Sequence, residues 1–251
     1  MITLVTVTYN AAATIERTLQ SVASQTYQEY EHLIIDGASK DDTVAIAQQY
    51  CDRDPQGGRI HIVSEPDRGL YDAMNKGLRL AKGDFICFLN AGDKLHSPCT
   101  LYNIAETARK SHSPVGVIYG HTDIVDAEGA FLRARRLCPP EILTWKSFRS
   151  GMLVCHQSFY VNKAIAQTYD LQYRFSADFD WCIRCLKEAE KKGMHNVYLR
   201  EPLCDYLSEG MTTQNHRASL IERFRIMEHH YGLLSTLMQH LWFIVRAAVK
   251  K

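Results

Sequence analysis

The sequence predicts an α/β fold with a mostly parallel central sheet flanked by helices and a helical tail at the carboxyl end. Short apolar runs of strand length alternate with segments whose apolar residues recur at helical spacing, and such alternation implies right-handed crossovers between parallel strands. Several of these strands end in polar residues, which is typical of a ligand site at one edge of the sheet. A chain of 251 residues is long enough for one domain with a full core.

The first half of the chain carries the clearest strand and helix signals. The predicted strands are Ile2–Val7, Leu33–Ile35, Arg59–Ser64 and Phe85–Leu89. A helix is predicted after each of the first three strands, and the apolar faces of these helices contain Ile15, Leu19 and Val22, then Val44, Ala47 and Cys51, and then Tyr71, Met74, Leu78 and Ala81. The third helix, Leu70 to Ala81, is predicted to present a polar opposite face with Asp72, Asn75, Lys76 and Arg79.

Polar residues at the strand ends predict one binding site. Asn10, Asp36 and the run from Asn90 to Asp93 follow three of the strands, and open α/β sheets bind ligands just outside the carboxyl ends of their strands. A lone acid such as Asp93 is more often a turn cap. The repetition of the pattern on three strands favours a site.

The glycine pattern excludes two common nucleotide sites. Neither a G-x-G-x-x-G turn after the first strand nor a G-x-x-x-x-G-K-[ST] loop is present, so dehydrogenase and P-loop interpretations lose their main support. Carboxylates repel a diphosphate unless a cation lies between them. The acidic strand ends therefore predict either a ligand without phosphate or a bridging Mg²⁺ or Mn²⁺, and a sugar nucleotide with a divalent ion fits the second case.

Six motifs in order resemble the inverting family 2 glycosyltransferases of the GT-A fold. The similarity is strongest to the branch that builds bacterial exopolysaccharides, colanic acid and O-antigens. The motifs are Val5–Asn10, Ile34–Ser39, Glu65–Gly77, Phe88–Asp93, His156–Gln157 and Ala177–Asp180. The resemblance implies a GT-A, Rossmann-like domain over residues 1–214, with a nucleotide-sugar-binding half at 1–95 and an acceptor and catalytic-base half at 96–214. A helical segment at 215–251 follows.

The resemblance implies a donor site at the first strand ends. Thr8, Tyr9 and Asn10 are expected to surround the nucleoside, and Asp36 is expected to accept a hydrogen bond from its base. Asp72 is expected near the ribose or diphosphate, with Asn75 and Lys76 on the same helix face. An ordinary solvated face is an equally good interpretation of Lys76 and Arg79, because many exposed helix faces carry such residues.

The family's D-x-D metal motif is altered in this chain. The corresponding stretch is Asn90-Ala91-Gly92-Asp93, in which Asp93 is the only acid. Mg²⁺ often takes only one or two protein carboxylates when phosphates and water complete its shell. The resemblance therefore implies Mg²⁺ or Mn²⁺ at Asp93, bound mainly together with the donor, and implies donor contacts for Asn90, Ala91 and Gly92.

The candidate base lies in the second half of the chain. Phe175–Trp181 is predicted to begin a helix, with Asp178 and Asp180 in its first turn, where acids also favour the helix dipole. The resemblance implies that Asp178 is the catalytic carboxylate that deprotonates the acceptor hydroxyl, whereas the dipole interpretation suffices for Asp180.

His156 and Gln157 precede a predicted strand, Phe159–Val161. A histidine beside a strand is more often a structural hydrogen-bond donor than a catalytic group. The resemblance implies that His156 and Gln157 contact the donor, its leaving group or the acceptor. The loop from Glu209 to Thr213, after a strand-like region from Tyr198 to Leu207, is expected either to fold over the donor or to be an ordinary connector.

The carboxyl-terminal segment predicts a membrane-surface helix. Processive family members carry a Q-x-x-R-W element and long membrane spans, and the absence of both favours a single-sugar transferase. Leu233–Val249 is apolar but interrupted by Gln239, His240 and Arg246, which suits an interfacial helix better than a span. Residues 231–251 are expected to contact the membrane peripherally, and packing on the catalytic domain is the alternative.

The sequence predicts a cytoplasmic protein. The net charge of +1 argues against a nucleic-acid partner, and Met1 leads directly into a strand without a secretory signal. Eight scattered cysteines predict reduced thiols. A peripheral position on the cytoplasmic face of the inner membrane is also consistent with the tail.

The sequence thus predicts a single-sugar, inverting hexosyl- or N-acetylhexosaminyltransferase. It is expected to use a nucleotide-diphosphate sugar, with UDP favoured, and a hydroxyl of a glycan or polyprenyl-linked glycolipid acceptor in cell-surface polysaccharide biosynthesis. The alternative from another class is a catalytically idle sugar-nucleotide-binding scaffold in a polysaccharide assembly complex. A nucleotidyltransferase ranks last, because the chain lacks the glycine-rich, basic loop that such enzymes use on triphosphates.

Overall fold

The computed structural model describes residues 1–55, 57–208 and 216–249. Within these residues one mixed sheet forms the centre of the molecule. Its strands are β1 (Ile2–Thr8), β2 (Tyr30–Asp36), β3 (Ile60–Ser64), β4 (Phe85–Phe88), β5 (Lys94–Leu95), β6 (Val115–Val125), β7 (Phe131–Ala134), β8 (Phe159–Asn162) and β9 (His195–Leu207). The strand order is β3-β2-β1-β4-β8-β6-β9-β5, and β7 pairs with β6.

Helices cover both faces of this sheet. They are α1 (Ile15–Ala23), α2 (Thr43–Asp52), α3 (Leu70–Leu80), α4 (Thr100–Lys110), α5 (Ala177–Lys191), α6 (His216–Tyr231) and α7 (Leu233–Val249). Two short 3-10 helices, Trp145–Ser150 and His156–Ser158, precede β8. The predicted α/β class with a helical tail is confirmed.

The four amino-terminal strands pair in parallel, as the alternating pattern predicts. β1 pairs with β2 and with β4, and β2 pairs with β3. All residues of β1, β2 and β4 are buried, as expected for strands covered on both faces. The register places Thr8 opposite Asp36 and Asp36 opposite Ser64, so the polar strand ends form one row at the carboxyl edge.

The second half of the chain completes the sheet with strands of both directions. β8 lies antiparallel between β4 and β6, whereas β9 runs parallel to β6. Because β8 follows directly after the 3-10 helix His156–Ser158, its pairing with β4 brings His156 and Gln157 beside the loop that follows β4.

The predicted polar face of α3 is wrong for two of its residues. Asn75 and Lys76 are only 6% and 9% exposed. A Cβ atom at Gly77 would lie 2.3 Å from Val5 Cγ1, so α3 lies directly on β1 and its neighbours are covered. Asn75 exchanges two hydrogen bonds with the Tyr169 backbone, and Lys76 donates to the Pro66 carbonyl at 2.8 Å and pairs with Glu65.

Helix α6 packs against the start of α5. The Glu222 carboxylate accepts hydrogen bonds from the backbone N–H groups of residues 174, 175 and 176 at 2.8 to 2.9 Å. His230 Nε2 lies 2.7 Å from Asp180 Oδ1, and the Tyr231 hydroxyl donates to the Trp145 carbonyl. These contacts fix the orientation of the turn that carries Asp178.

Helix α7 exposes an apolar stripe. Its large apolar side chains that are exposed are Leu233, Leu234, Leu237, Met238, Leu241, Trp242, Ile244 and Val245. None of the helices in the described part of the chain is long and apolar enough to cross a membrane. The loop from Glu209 to Thr213 lies outside the described residues.

A buried histidine in β2 generates a stability prediction. His32 is fully buried, with Nε2 at 2.8 Å from Thr6 Oγ1 and Nδ1 at 3.3 Å from the Tyr50 hydroxyl. Burial lowers the pKa of His32 from 6.5 to about 3. Between these values the unfolded chain binds a proton that the folded chain does not, so the free energy of unfolding falls by about 1.4 kcal/mol per pH unit as pH decreases.

We expect the wild-type protein to lose about 2 kcal/mol more stability than His32→Gln when pH falls from about 7.5 to about 5. Glutamine retains hydrogen-bonding groups but does not titrate. Urea unfolding of both proteins at several pH values measures this difference. Parallel stability curves for the two proteins would contradict the assignment.

Candidate active site

Two neighbouring residues on one turn, His156 and Gln157, contact the carboxylates of Asp178 and Asp93. Gln157 Nε2 donates a hydrogen bond to Asp93 Oδ2 at 2.7 Å, and His156 Nδ1 lies 3.3 Å from Asp178 Oδ2. Both pairs are largely removed from solvent. The 3-10 helix His156–Ser158 therefore joins the loop after β4 to the start of α5.

Asp178 is a partly buried carboxylate with a polar neighbour at each oxygen. The Tyr71 hydroxyl donates to Oδ1 at 3.2 Å, and His156 Nδ1 faces Oδ2. Burial alone raises the pKa of Asp178, but the neighbouring His156 and the positive charge of Arg223 outweigh it and hold the pKa below its ordinary value. Asp178 is therefore ionised at neutral pH and can accept a proton.

Asp93 is 4% exposed and lies at the end of the loop after β4. Its carboxylate accepts hydrogen bonds from Gln157 and, at 3.0 Å, from the Leu207 backbone N–H. Burial raises the pKa of Asp93 to about 6 despite these two donors. A divalent cation would compensate the buried charge.

The residues near Asp93 fit such a cation. Asn90 Oδ1 is a buried oxygen with no hydrogen-bond partner among the described residues. Oxygen ligands with few protein carboxylates suit Mg²⁺ when a substrate supplies phosphate oxygens. Gly92 has a φ of 100° and donates its N–H to Thr18 Oγ1, while Ala91 N–H contacts the Val7 carbonyl, so the loop holds Asn90 and Asp93 at the edge of the sheet.

A second possible metal cluster lies apart on β5, β6 and β9. His96 Nδ1 is 2.6 Å from Asp205 Oδ1 and 4.0 Å from Asp123 Oδ2. Lys94 Nζ pairs with the other Asp205 oxygen at 3.2 Å. An amino group therefore already compensates the charge of Asp205, and we interpret the cluster as a structural ion-pair network.

The ends of β1 and β2 form a second part of the candidate site. The buried Asp36 carboxylate accepts hydrogen bonds from Ser39 N at 2.9 Å and Ser64 Oγ at 2.7 Å. Asn10 adopts a left-handed conformation and its N–H donates to Ser39 Oγ. Asp36 is thus held rigidly.

Tyr9 and Thr8 line the same edge. The Tyr9 ring is 62% exposed, and the buried Thr8 Oγ1 has no hydrogen-bond partner in the described part of the chain. Both features leave groups available to a ligand. The structure therefore brings Thr8, Tyr9, Asn10 and Asp36 together.

Asp67 is a site residue that the sequence analysis missed. A Cβ atom at Gly37 would lie 2.5 Å from Asp67 Oδ2 and 3.4 Å from Tyr9 Cδ2, so the glycine allows these two side chains to meet beside Asp36. Asp67 Oδ1 accepts the Gly69 N–H at 2.8 Å. The turn sequence Asp67-Arg-Gly69 was the available signal.

The three polar residues predicted on α3 are occupied by protein contacts. Asp72 accepts hydrogen bonds from the Arg68 backbone and guanidinium, and the bond to Arg68 lowers the pKa of Asp72. Asn75 and Lys76 bind backbone groups, as described above. Their predicted contacts with the donor remain a prediction.

Arg223 on α6 is a second residue that the sequence analysis missed. Its positive charge acts on Asp178, and its buried Nε has no hydrogen-bond partner among the residues described. Asp180 has a different role, because it pairs with Arg184 at 2.6 Å and with His230 at 2.7 Å. It anchors α6 to α5.

The family model for glycosyl transferase family 2 matches residues 3–168. The chain belongs to glycosyltransferase family 2. The matched range contains Asp36, Asp93 and the His156–Gln157 turn, while Asp178 follows ten residues after its end. The resemblance indicated by the sequence motifs is confirmed.

Two curated relatives agree with the family assignment. A PGL/p-HBAD biosynthesis glycosyltransferase of Mycobacterium bovis is 32% identical over 188 residues, which cover 74% of this chain and 69% of the relative. The amylovoran biosynthesis glycosyltransferase AmsB of Erwinia amylovora is 27% identical over 208 residues, which cover 79% of this chain and 66% of AmsB.

Solved structures show the same GT-A fold. S. aureus TarS residues 1–349, in complex with UDP, aligns with a TM-score of 0.67 at 16% identity, over 90% of this chain and 64% of that chain. The mannosyltransferase PcManGT of Pyrobaculum calidifontis, in complex with GDP-Man and Mn²⁺, aligns with a TM-score of 0.61 at 17% identity, over 98% of this chain and 75% of that chain. This chain thus spans less than two thirds of the TarS fragment.

Proposed function

We propose that this family 2 glycosyltransferase transfers one hexose or N-acetylhexosamine, with inversion, from a nucleotide-diphosphate sugar to a hydroxyl of a glycan or lipid-linked glycan. The observation that carries the proposal is the turn His156–Gln157, which holds Asp178 and Asp93 in one site. One carboxylate is suited to the acceptor side and the other to the leaving-group side.

Asp178 is proposed as the catalytic base. Its ionised carboxylate takes the proton from the acceptor hydroxyl while that oxygen forms a bond to the anomeric carbon. The bond from the anomeric carbon to the diphosphate oxygen breaks, and its electron pair leaves with the nucleoside diphosphate. A single displacement with one base and no enzyme nucleophile inverts the anomeric centre.

The donor is proposed to bind along the carboxyl edge of β1, β2 and β4. Thr8, Tyr9, Asn10 and Asp36 are proposed to hold the nucleoside, with Asp72, Asn75 and Lys76 toward the ribose and diphosphate. Asn90, Ala91, Gly92, His156 and Gln157 are proposed to line the sugar and the leaving group. UDP is favoured because TarS is solved with UDP.

Mg²⁺ or Mn²⁺ is proposed at Asp93, supported by the buried, raised-pKa carboxylate and by the Mn²⁺ in the complex of PcManGT. When bound, such an ion neutralises charge that develops on the leaving diphosphate.

The acceptor is proposed to belong to cell-surface polysaccharide biosynthesis. AmsB is named for amylovoran biosynthesis, and the relative from Mycobacterium bovis for PGL/p-HBAD biosynthesis. A polyprenyl-linked acceptor on the cytoplasmic face of the inner membrane would require a membrane-bound enzyme, and the exposed stripe of α7 supports peripheral attachment. The eight cysteines are free, as in reduced cytoplasmic proteins.

An idle scaffold is the second candidate. The replacement of the first metal-motif acid by Asn90 favours it. The ionised Asp178, held by Tyr71 and His156, argues against it because a scaffold has no use for a positioned base.

A thermal-shift panel of UDP, GDP, dTDP and CMP tests the donor site, each nucleotide with Mn²⁺ and with chelator. One diphosphate with Mn²⁺, at about a hundredfold its dissociation constant, should stabilise the protein by about 2.7 kcal/mol. Chelator should remove the shift. Failure of every nucleotide under both conditions would refute the donor site.

Liposome flotation tests the membrane contact. The double variant Leu237→Glu and Leu241→Glu should bind vesicles of phosphatidylglycerol and phosphatidylethanolamine at least about tenfold more weakly, since each leucine loses its apolar burial. Ile142→Glu, at an exposed loop position outside α7, is the matched control and should float like wild type. Equal flotation of all three proteins, or no flotation of wild type, rejects α7 as the anchor.

A further inference from the structure

We propose that Asn90 and His156 form a positioning relay that aims the catalytic carboxylate of Asp178. The contacts run from Asn90 Nδ2 to His156 Nε2 at 3.4 Å, and from His156 Nδ1 to Asp178 Oδ2 at 3.3 Å. The relay rests on the proposed function, in which Asp178 is the base. It gives the altered metal motif a role of its own in that reaction.

The chemistry of the two neighbours fixes the tautomer of His156. A neutral imidazole has one N–H donor and one acceptor nitrogen. The Asp178 carboxylate only accepts, so the ring proton belongs on Nδ1, and Nε2 is left as an acceptor. The amide N–H of Asn90 is then the matching donor to Nε2.

The two contacts of the relay are long, and Nδ1 makes no full hydrogen bond to Asp178. Hydrogen bonds around catalytic groups are often long or poorly aligned without substrate and tighten in the complex. His156 itself is buried and contacts Asn90, so a small shift of the loop after β4 moves the His156 ring as well.

The relay explains why an amide suits position 90. An aspartate there would only accept hydrogen bonds and would compete with Asp178 for the single ring proton. Asparagine donates through Nδ2 and keeps Oδ1, which is buried and without a partner in the described residues, for the donor. Asn90 lies on the same loop as Asp93, so the relay also connects the leaving-group side of the site to the base.

Two variants of His156 each keep one of the two contacts that the ring makes. Asparagine places an amide near the position of Nδ1 and keeps a donor to Asp178, whereas glutamine places its amide near Nε2 and keeps a partner for Asn90. We expect His156→Asn to retain kcat within about tenfold and His156→Gln to lose about 100-fold, since a well-placed base contributes about 10² to 10⁴. Equal losses in the two variants would overturn the relay.

Asn90→Asp tests the other end. It places a second acid on the loop of Asp93, at D-x-x-D spacing, yet we expect kcat to fall about 10- to 100-fold because a carboxylate at position 90 competes with Asp178 for hydrogen bonds from the His156 ring. In the His156→Asn background the same change should lower kcat by a smaller factor than in the wild type, because no ring remains to couple position 90 to Asp178. The assay follows release of UDP from UDP-glucose and UDP-N-acetylglucosamine with Mn²⁺, and donor KM is measured separately from kcat. An unchanged or higher kcat for Asn90→Asp contradicts the proposal.

Nitrogen-15 NMR of the histidine rings gives a readout that needs no turnover. Wild-type His156 should carry its proton on Nδ1 alone, and in Asn90→Asp the Nε2 atom should become protonated. A wild-type ring protonated on Nε2 refutes the relay even if the enzyme is active. If no nucleotide-diphosphate sugar is turned over while the tautomer is as expected, the proposed function fails and the relay geometry stands.

Discussion

The hydrogen bond from Gln157 to Asp93 is the contact on which the site depends. It joins the second half of the chain to the loop after β4, and it places the adjacent His156 against Asp178. The turn can reach both carboxylates because β8, which follows it directly, pairs with β4. Sheet pairing therefore sets the separation of the proposed base and the proposed metal-side acid.

The carboxyl-terminal segment contributes to the same site. Glu222 satisfies three backbone N–H groups at the start of α5, which would otherwise lie unpaired at a helix end. Asp180 pairs with His230 from the other end of α6. These bonds hold the first turn of α5, and with it Asp178, against the sheet, so α6 supports the base as well as linking to α7.

The sequence predicted what local patterns can encode. Apolar runs located the parallel strands, and the motifs located Asp36, Asp93, His156 and Asp178. The sequence did not predict the burial of Asn75 and Lys76, because that burial depends on the close approach of Gly77 to Val5, which helical periodicity does not reveal. The sequence did not identify Arg223 and Asp67 for a similar reason, since their contacts join segments that are distant in sequence.

The central claim is that Asp178 is the base of a transferase, and Asp178→Asn tests it most directly. The substitution keeps the shape of the side chain but cannot take a proton. We expect the dissociation constant of the donor, measured by calorimetry, to change by less than about threefold, while kcat falls by about 10² to 10⁴. A variant that retains wild-type kcat, or that loses donor binding in proportion to activity, would contradict the account.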